Sequence, residues 1–268
     1  MTSLSYDRYC SEVVTQTTLL REAIRGADLT ATVPTCPEWT LAHLLLHVGQ
    51  AHRRAEHLVR TRFTGFRVPD DVGAAPAPGP GQPALDAGAA AFGDWLEEGA
   101  ETLARTLRES GPDSAVWTFG PRQTADFWAR RMTHETVIHR ADAEATTGVA
   151  FAVAPEIAAD CLDEWLQIIS SPMAMEFKPA YKELLGPGRT LHLHATDTAP
   201  ELEAEWFVDC GGERIEWRRA HEKAAVVVRG PLTDLLAVFY RRQSPDSGRV
   251  EVLGERALLE FWLERASF

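Results

Sequence analysis

Apolar side chains recur every three or four residues through the first two thirds of the chain. The period changes after Gly186-Pro187-Gly188. Leu4 to Arg25 holds no proline or glycine and reads as a first helix. Thr40 to Arg60 reads as a second, following a turn across Pro34–Pro37. Thr40 suits its N-cap, and Leu41, Leu44, Leu45 and Val48 form one stripe. Residues 73–83, GAAPAPGPGQP, suit neither helix nor strand and predict a surface loop. Asp86 to Arg108 and Thr124 to Thr147 predict two more helices, the latter ended by Gly148. Ala158, Cys161, Leu162, Trp165, Leu166 and Ile169 mark a fifth, which Pro172 should stop.

Beyond residue 186, Leu191, Leu193 and Ala195 alternate with His192, His194 and Thr196, as in a strand. Leu202–Cys210, Arg214–Arg218, Ala224–Val228 and Arg249–Leu253 also read as strands, with a hairpin turn at Gly211-Gly212. Pro231–Tyr240 and Arg256–Arg265 read as helices. The expected fold class is therefore α plus α+β, with a helical domain over 1–185 and a smaller α+β domain over 186–268.

Composition narrows the function. The 268 residues are 45% apolar, enough for a full core, and 27 basic against 39 acidic side chains give a net charge of −12. That field opposes nucleic acid and anionic membranes alike. No stretch reaches the roughly 18 unbroken apolar residues of a membrane span, and MTSLSYDRYCSEVV lacks the basic region of a secretory signal. Cys10, Cys36, Cys161 and Cys210 are scattered, with no C-x-x-C pair, so neither a thiolate zinc site nor a disulfide framework is expected. A cytoplasmic monomer is the expectation.

The candidate chemistry lies in two helices. Glu135 and His139, four residues apart, share one helical face, so a carboxylate and an imidazole can converge on one ion. His134 falls roughly 140° from His139, and the zinc-protease pattern H-E-x-x-H is absent because Ile138 holds its last position. The second helix carries His43, His47 and His52. One of them with Glu135 and His139 would complete a three-ligand set with an open position, but spacing does not choose between His43 and His47.

Two runs make the chain recognisable: Val33–Gly49, VPTCPEWTLAHLLLHVG, and Phe127–Glu144, FWARRMTHETVIHRADAE. Both resemble the mycothiol-dependent maleylpyruvate isomerase family. Thr190–Asp197, TLHLHATD, and Val228–Leu236, VRGPLTDLL, are similar to its second domain. The resemblance implies a DinB-like four-helix bundle carrying a divalent metal, followed by an α+β domain related to sterol-carrier-like folds. It implies zinc, or another divalent ion, held by His47, Glu135 and His139. It also implies mycothiol as thiol cosubstrate. Glu38 departs from the family, which commonly has glycine before the tryptophan.

Such a site suits thiol chemistry, because a free thiol is mostly protonated at neutral pH and zinc coordination removes the proton. The thiolate would add to an electrophilic small molecule, giving cis–trans isomerisation or S-transfer. For an anionic substrate, Arg131 is the preferred contact among Arg53, Arg54, Arg130, Arg131 and Arg140, most of which are expected in ion pairs. Asp142 is expected to accept a hydrogen bond from a ligand histidine, to contact the thiol, or to form a helix-face salt bridge. Cys36 reads as turn packing, His192 and His194 as a same-side pair that faces solvent, or else lines the junction between the domains, and Trp39, Trp128, Trp165 and Trp262 as core. Two rival readings are a metal hydrolase of a thiol conjugate or amide and a non-catalytic small-molecule-binding protein.

Overall fold

The computed structural model describes residues 4–65 and 75–266. Residues 73 and 74 of the expected loop lie outside them; 75–83 form neither helix nor strand. The chain divides into two compact units, Leu4–Phe151 and Ala152–Phe268.

The first unit is a bundle of α1 (Tyr6–Ala23), α2 (Leu41–Arg60), α3 (Ala89–Ser110) and α4 (Ala125–Thr147). Local chemistry sets their ends. The Ser5 side chain accepts from the Arg8 amide to start α1. Gly148, at φ 75°, takes the left-handed position that ends α4. One core cluster gathers Tyr9, Val13, Leu58, Leu103, Leu107 and Trp128. A second gathers Leu20, Ile24, Trp39, Leu44, Leu45, Phe92 and Leu96. α2 and α3 pack closely at Gly49, where a Cβ would lie 2.0 Å from the Trp95 ring. α4 buries polar side chains as well. Arg140 donates to Gln16 Oε1 at 3.0 Å and Glu144 Oε1 at 2.7 Å, so its charge is not stranded.

Between α1 and α2 the expected turn is a small antiparallel hairpin, β1 (Thr32–Val33) and β2 (Cys36–Thr40). Its tip is Pro34-Thr35, and Cys36 belongs to its second strand.

The second unit opens with α5 (Pro155–Ile169), α6 (Pro172–Phe177) and α7 (Ala180–Glu183). These lie beyond Phe151, so the units divide well before the expected boundary at 185. The helical period revealed α5 but not which core it joins. Pro172 does not simply stop a helix. It occupies the first turn of α6, where its missing N–H costs nothing, and Ser171 caps that helix through the Ala174 amide.

A five-stranded sheet follows: β3 (Thr190–Ala195), β4 (Glu205–Asp209), β5 (Glu216–Arg219), β6 (Val226–Gly230) and β7 (Glu251–Gly254). Its order is β5-β4-β3-β6-β7. Only β3 and β6 run parallel as neighbours; the other pairs are antiparallel. α8 (Leu232–Phe239) precedes β7, and α9 (Arg256–Arg265) follows it. Leu191 and Leu193 are buried together with Trp165, Trp206, Phe239 and Trp262. Trp165 meets Phe239 and Trp262 edge to face. Asp163 accepts from the Trp206 indole at 2.7 Å and from Arg219 at 2.9 Å, so the polar groups of these three side chains satisfy one another. No described helix is long and apolar enough to cross a membrane.

Candidate metal centre

α2 and α4 bring His47, Glu135 and His139 together, with one potential ligand atom from each within 4.8 Å of the others. His47 Nε2 lies 2.8 Å from Glu135 Oε1, and His139 Nε2 lies 3.3 Å from the same oxygen. The two imidazole rings stand 4.8 Å apart at 79°. Helical spacing on α4 aligns Glu135 with His139, and the facing turn of α2 supplies the third donor.

Each donor is held by another group. Asp142 Oδ2 sits 2.9 Å from His139 Nδ1, which turns His139 Nε2 toward the centre. Asp142 also accepts from the Thr35 hydroxyl at 2.6 Å. The hairpin tip thus braces α4 from 107 residues away in the chain. Arg131 donates to Glu135 Oε2 at 2.7 Å, leaving Oε1 to the histidines. The Trp39 ring lies 5.1 Å from that of His47.

These contacts set the charges. Burial pushes the His47 pKa below its ordinary value, outweighing the raising effect of its Glu135 hydrogen bond, so its imidazole is neutral. Burial would also lower His139, but hydrogen bonds to Asp142 and Glu135 hold it up at about 9. Burial would raise the Glu135 carboxyl; Arg131 and the two histidines keep it well below the usual range. A carboxylate, a neutral imidazole and an imidazole whose proton a cation can displace make a chemically suitable divalent-ion set.

The other named residues fall elsewhere. His43 is consumed by a capping box: its Nδ1 accepts from the Thr40 amide at 3.1 Å, and its own amide donates to Thr40 Oγ1. His52 is buried against the Thr136 hydroxyl at 2.8 Å. His134 is buried edge-on to Tyr9. Arg53 stacks over Trp95 at 4.1 Å. Arg131, named above for an anionic substrate, is itself buried in its pairing with Glu135. For Asp142 the structure forms the expected hydrogen bond to His139. Sequence reasoning passed over Thr35; only its place in the VPTCPEW turn marked the segment. His192 is buried rather than solvent-facing, and His194 is half-buried.

A four-helix bundle with a His–Glu–His donor set on two helices, followed by an α+β unit, defines a two-domain protein able to hold a metal ion. The mycothiol maleylpyruvate isomerase N-terminal domain model matches residues 10–144, and the MDMPI C-terminal domain model matches residues 156–261. The chain belongs to the mycothiol maleylpyruvate isomerase family. Its fold is similar to the crystal structure of the mycothiol-dependent maleylpyruvate isomerase. The TM-score is 0.58 at 19% identity, covering 95% of this chain and 97% of that one. A histidine-to-alanine mutant of that enzyme gives 0.57 at 18% identity, with the same coverage. No curated protein matches the chain.

Proposed function

We propose that the protein is a metal-dependent enzyme that uses mycothiol to attack an electrophilic small molecule, giving cis–trans isomerisation or S-transfer. The observation that carries this reading is the convergence of His47, Glu135 and His139 inside the segment matched by the family's N-terminal model. These three residues would hold zinc or another divalent ion. When bound, the ion supplies a Lewis acid that favours the deprotonated form of a thiol at neutral pH.

The chain's own side chains prepare that centre. Glu135 presents Oε1 because Arg131 occupies Oε2. His139 presents Nε2 because Asp142 occupies Nδ1. Asp142 is fixed in turn by Thr35, so the hairpin and α4 share the task of orientation. Two neutral imidazoles and one carboxylate leave a divalent centre with a formal charge of about +1, which attracts an anionic sulfur. The hydrolase alternative needs a general base beyond the ligands. His134 is packed against Tyr9, and Glu144 is paired with Arg140.

The test is zinc content and turnover of maleylpyruvate in the presence of mycothiol, with His47→Ala beside the wild type. The variant should lose about one equivalent of zinc, while its four helices stay folded around their apolar core. It should also lose thiol-dependent turnover. Zinc content and turnover equal to wild type would overturn the assignment.

A further inference from the structure

The sheet of the second unit carries another convergence of ligating groups, sharing no residue with the centre on α2 and α4. Alternation along β3 places His192 and His194 on one face. Glu205 of β4 pairs directly with His194 in the register. The fourth member, His221, comes from the segment joining β5 to β6, strands separated in the sheet by β4 and β3. That segment lies against the histidine-bearing face. The Ala220 amide donates to the Glu205 carbonyl at 3.2 Å, and the Ala225 amide donates to Thr190 Oγ1 at 2.8 Å.

All three imidazoles point at one atom. His192 Nε2, His194 Nδ1 and His221 Nδ1 lie 2.9, 2.8 and 2.6 Å from Glu205 Oε2. Three ring nitrogens are more than the two lone pairs of that oxygen accommodate well. The rings stand 5.2 to 5.8 Å apart at steep angles, fanned around a point rather than stacked. The four ligand atoms lie within 4.8 Å of one another.

We propose that His192, His194, Glu205 and His221 form a second metal site, which takes zinc or a similar divalent first-row ion. Three imidazoles with one carboxylate select such ions over magnesium or calcium, which prefer all-oxygen shells. Four protein donors make a closed, structural site rather than one with a position open for substrate. Its effect is mechanical: it fastens the β5–β6 crossing segment to the strands beneath it. The site is reachable from solvent, because His221 is three-quarters exposed.

The experiment is a zinc titration of the metal-stripped full chain against a chromophoric chelator. Wild type, His47→Ala, His221→Ala and the double variant His194→Ala/His221→Ala are compared. The double variant should bind about one equivalent fewer than wild type, and His221→Ala should weaken that equivalent at least about tenfold. Zinc should raise the thermal midpoint of His47→Ala, and this rise should vanish when His194→Ala and His221→Ala are added. A double variant that binds as many equivalents as wild type, equally tightly, overturns the proposal. If the double variant does not fold, the single exposed change decides: unchanged affinity in His221→Ala also overturns it.

Discussion

Replacing Asp142 by asparagine keeps the shape of the side chain and removes its charge. In the metal-stripped protein, native His139 keeps its proton up to about pH 9, whereas in the unfolded chain it loses the proton near 6.5. Between those values the native state binds more protons, so stability must fall as pH rises. The contribution is complete below 6.5 and lost as pH passes through 9. A rise from 6.5 to about 9, at about 1.4 kcal/mol for each factor of ten, amounts to about 3 kcal/mol. Burial opposes the rise. The Asp142 hydrogen bond is the strongest influence producing it, ahead of that from Glu135. Asp142→Asn should therefore remove most of the pH-dependent fall. Urea unfolding of chelator-treated protein at steps between pH 6.5 and 9 measures it directly. An equal fall in both proteins would refute the reasoning that Asp142 holds the His139 proton.

Two further changes probe the packing around the centre. Gly49→Ala drives a Cβ to within 2.0–2.7 Å of the Trp95 ring; this overpacking, roughly 1–3 kcal/mol, should exceed the gain of about 1 kcal/mol in helix propensity. A lower urea midpoint is the expected result, and an unchanged or higher one would show that Trp95 yields freely. Arg131→Met leaves Glu135 Oε2 without its buried donor and should weaken zinc binding roughly 10- to 100-fold. Chelator competition reads the affinity, and wild-type affinity would mean that Glu135 is oriented without Arg131.

Much of the bundle was legible because its helices announce their ends. Thr40 reads as a cap and Gly148 as a stop, and both act as such. The spacing of Glu135 and His139 declared a shared face, but on α2 two histidines fitted equally well. The structure separates them by a local competition: His43 is used up in capping its own helix, while His47 faces α4. The hairpin before α2 was hidden because two prolines in VPTCPEW read as a turn, and strands of two and five residues show too little alternation. Pro172 was ambiguous in principle, since proline both ends helices and begins them. The histidines of β3 showed as a same-face pair. Their partners Glu205 and His221 come from a neighbouring strand and a crossing segment, a juxtaposition no local period encodes.

The placement of the α2–α4 donors also fixes when their site can first exist as the chain is made. His47 precedes Glu135 by 88 residues, and α4 is the last helix of its unit. A nascent chain that has completed α1, α2 and α3 carries His47 with no Glu135 or His139 opposite it. Since domains fold as units and N-terminal ones fold first during synthesis, the donor set closes only when α4 docks. If the proposed metal assignment holds, ion uptake at this centre would report that the first unit is finished, because an ion offered earlier would meet only one of the three proposed donors, His47.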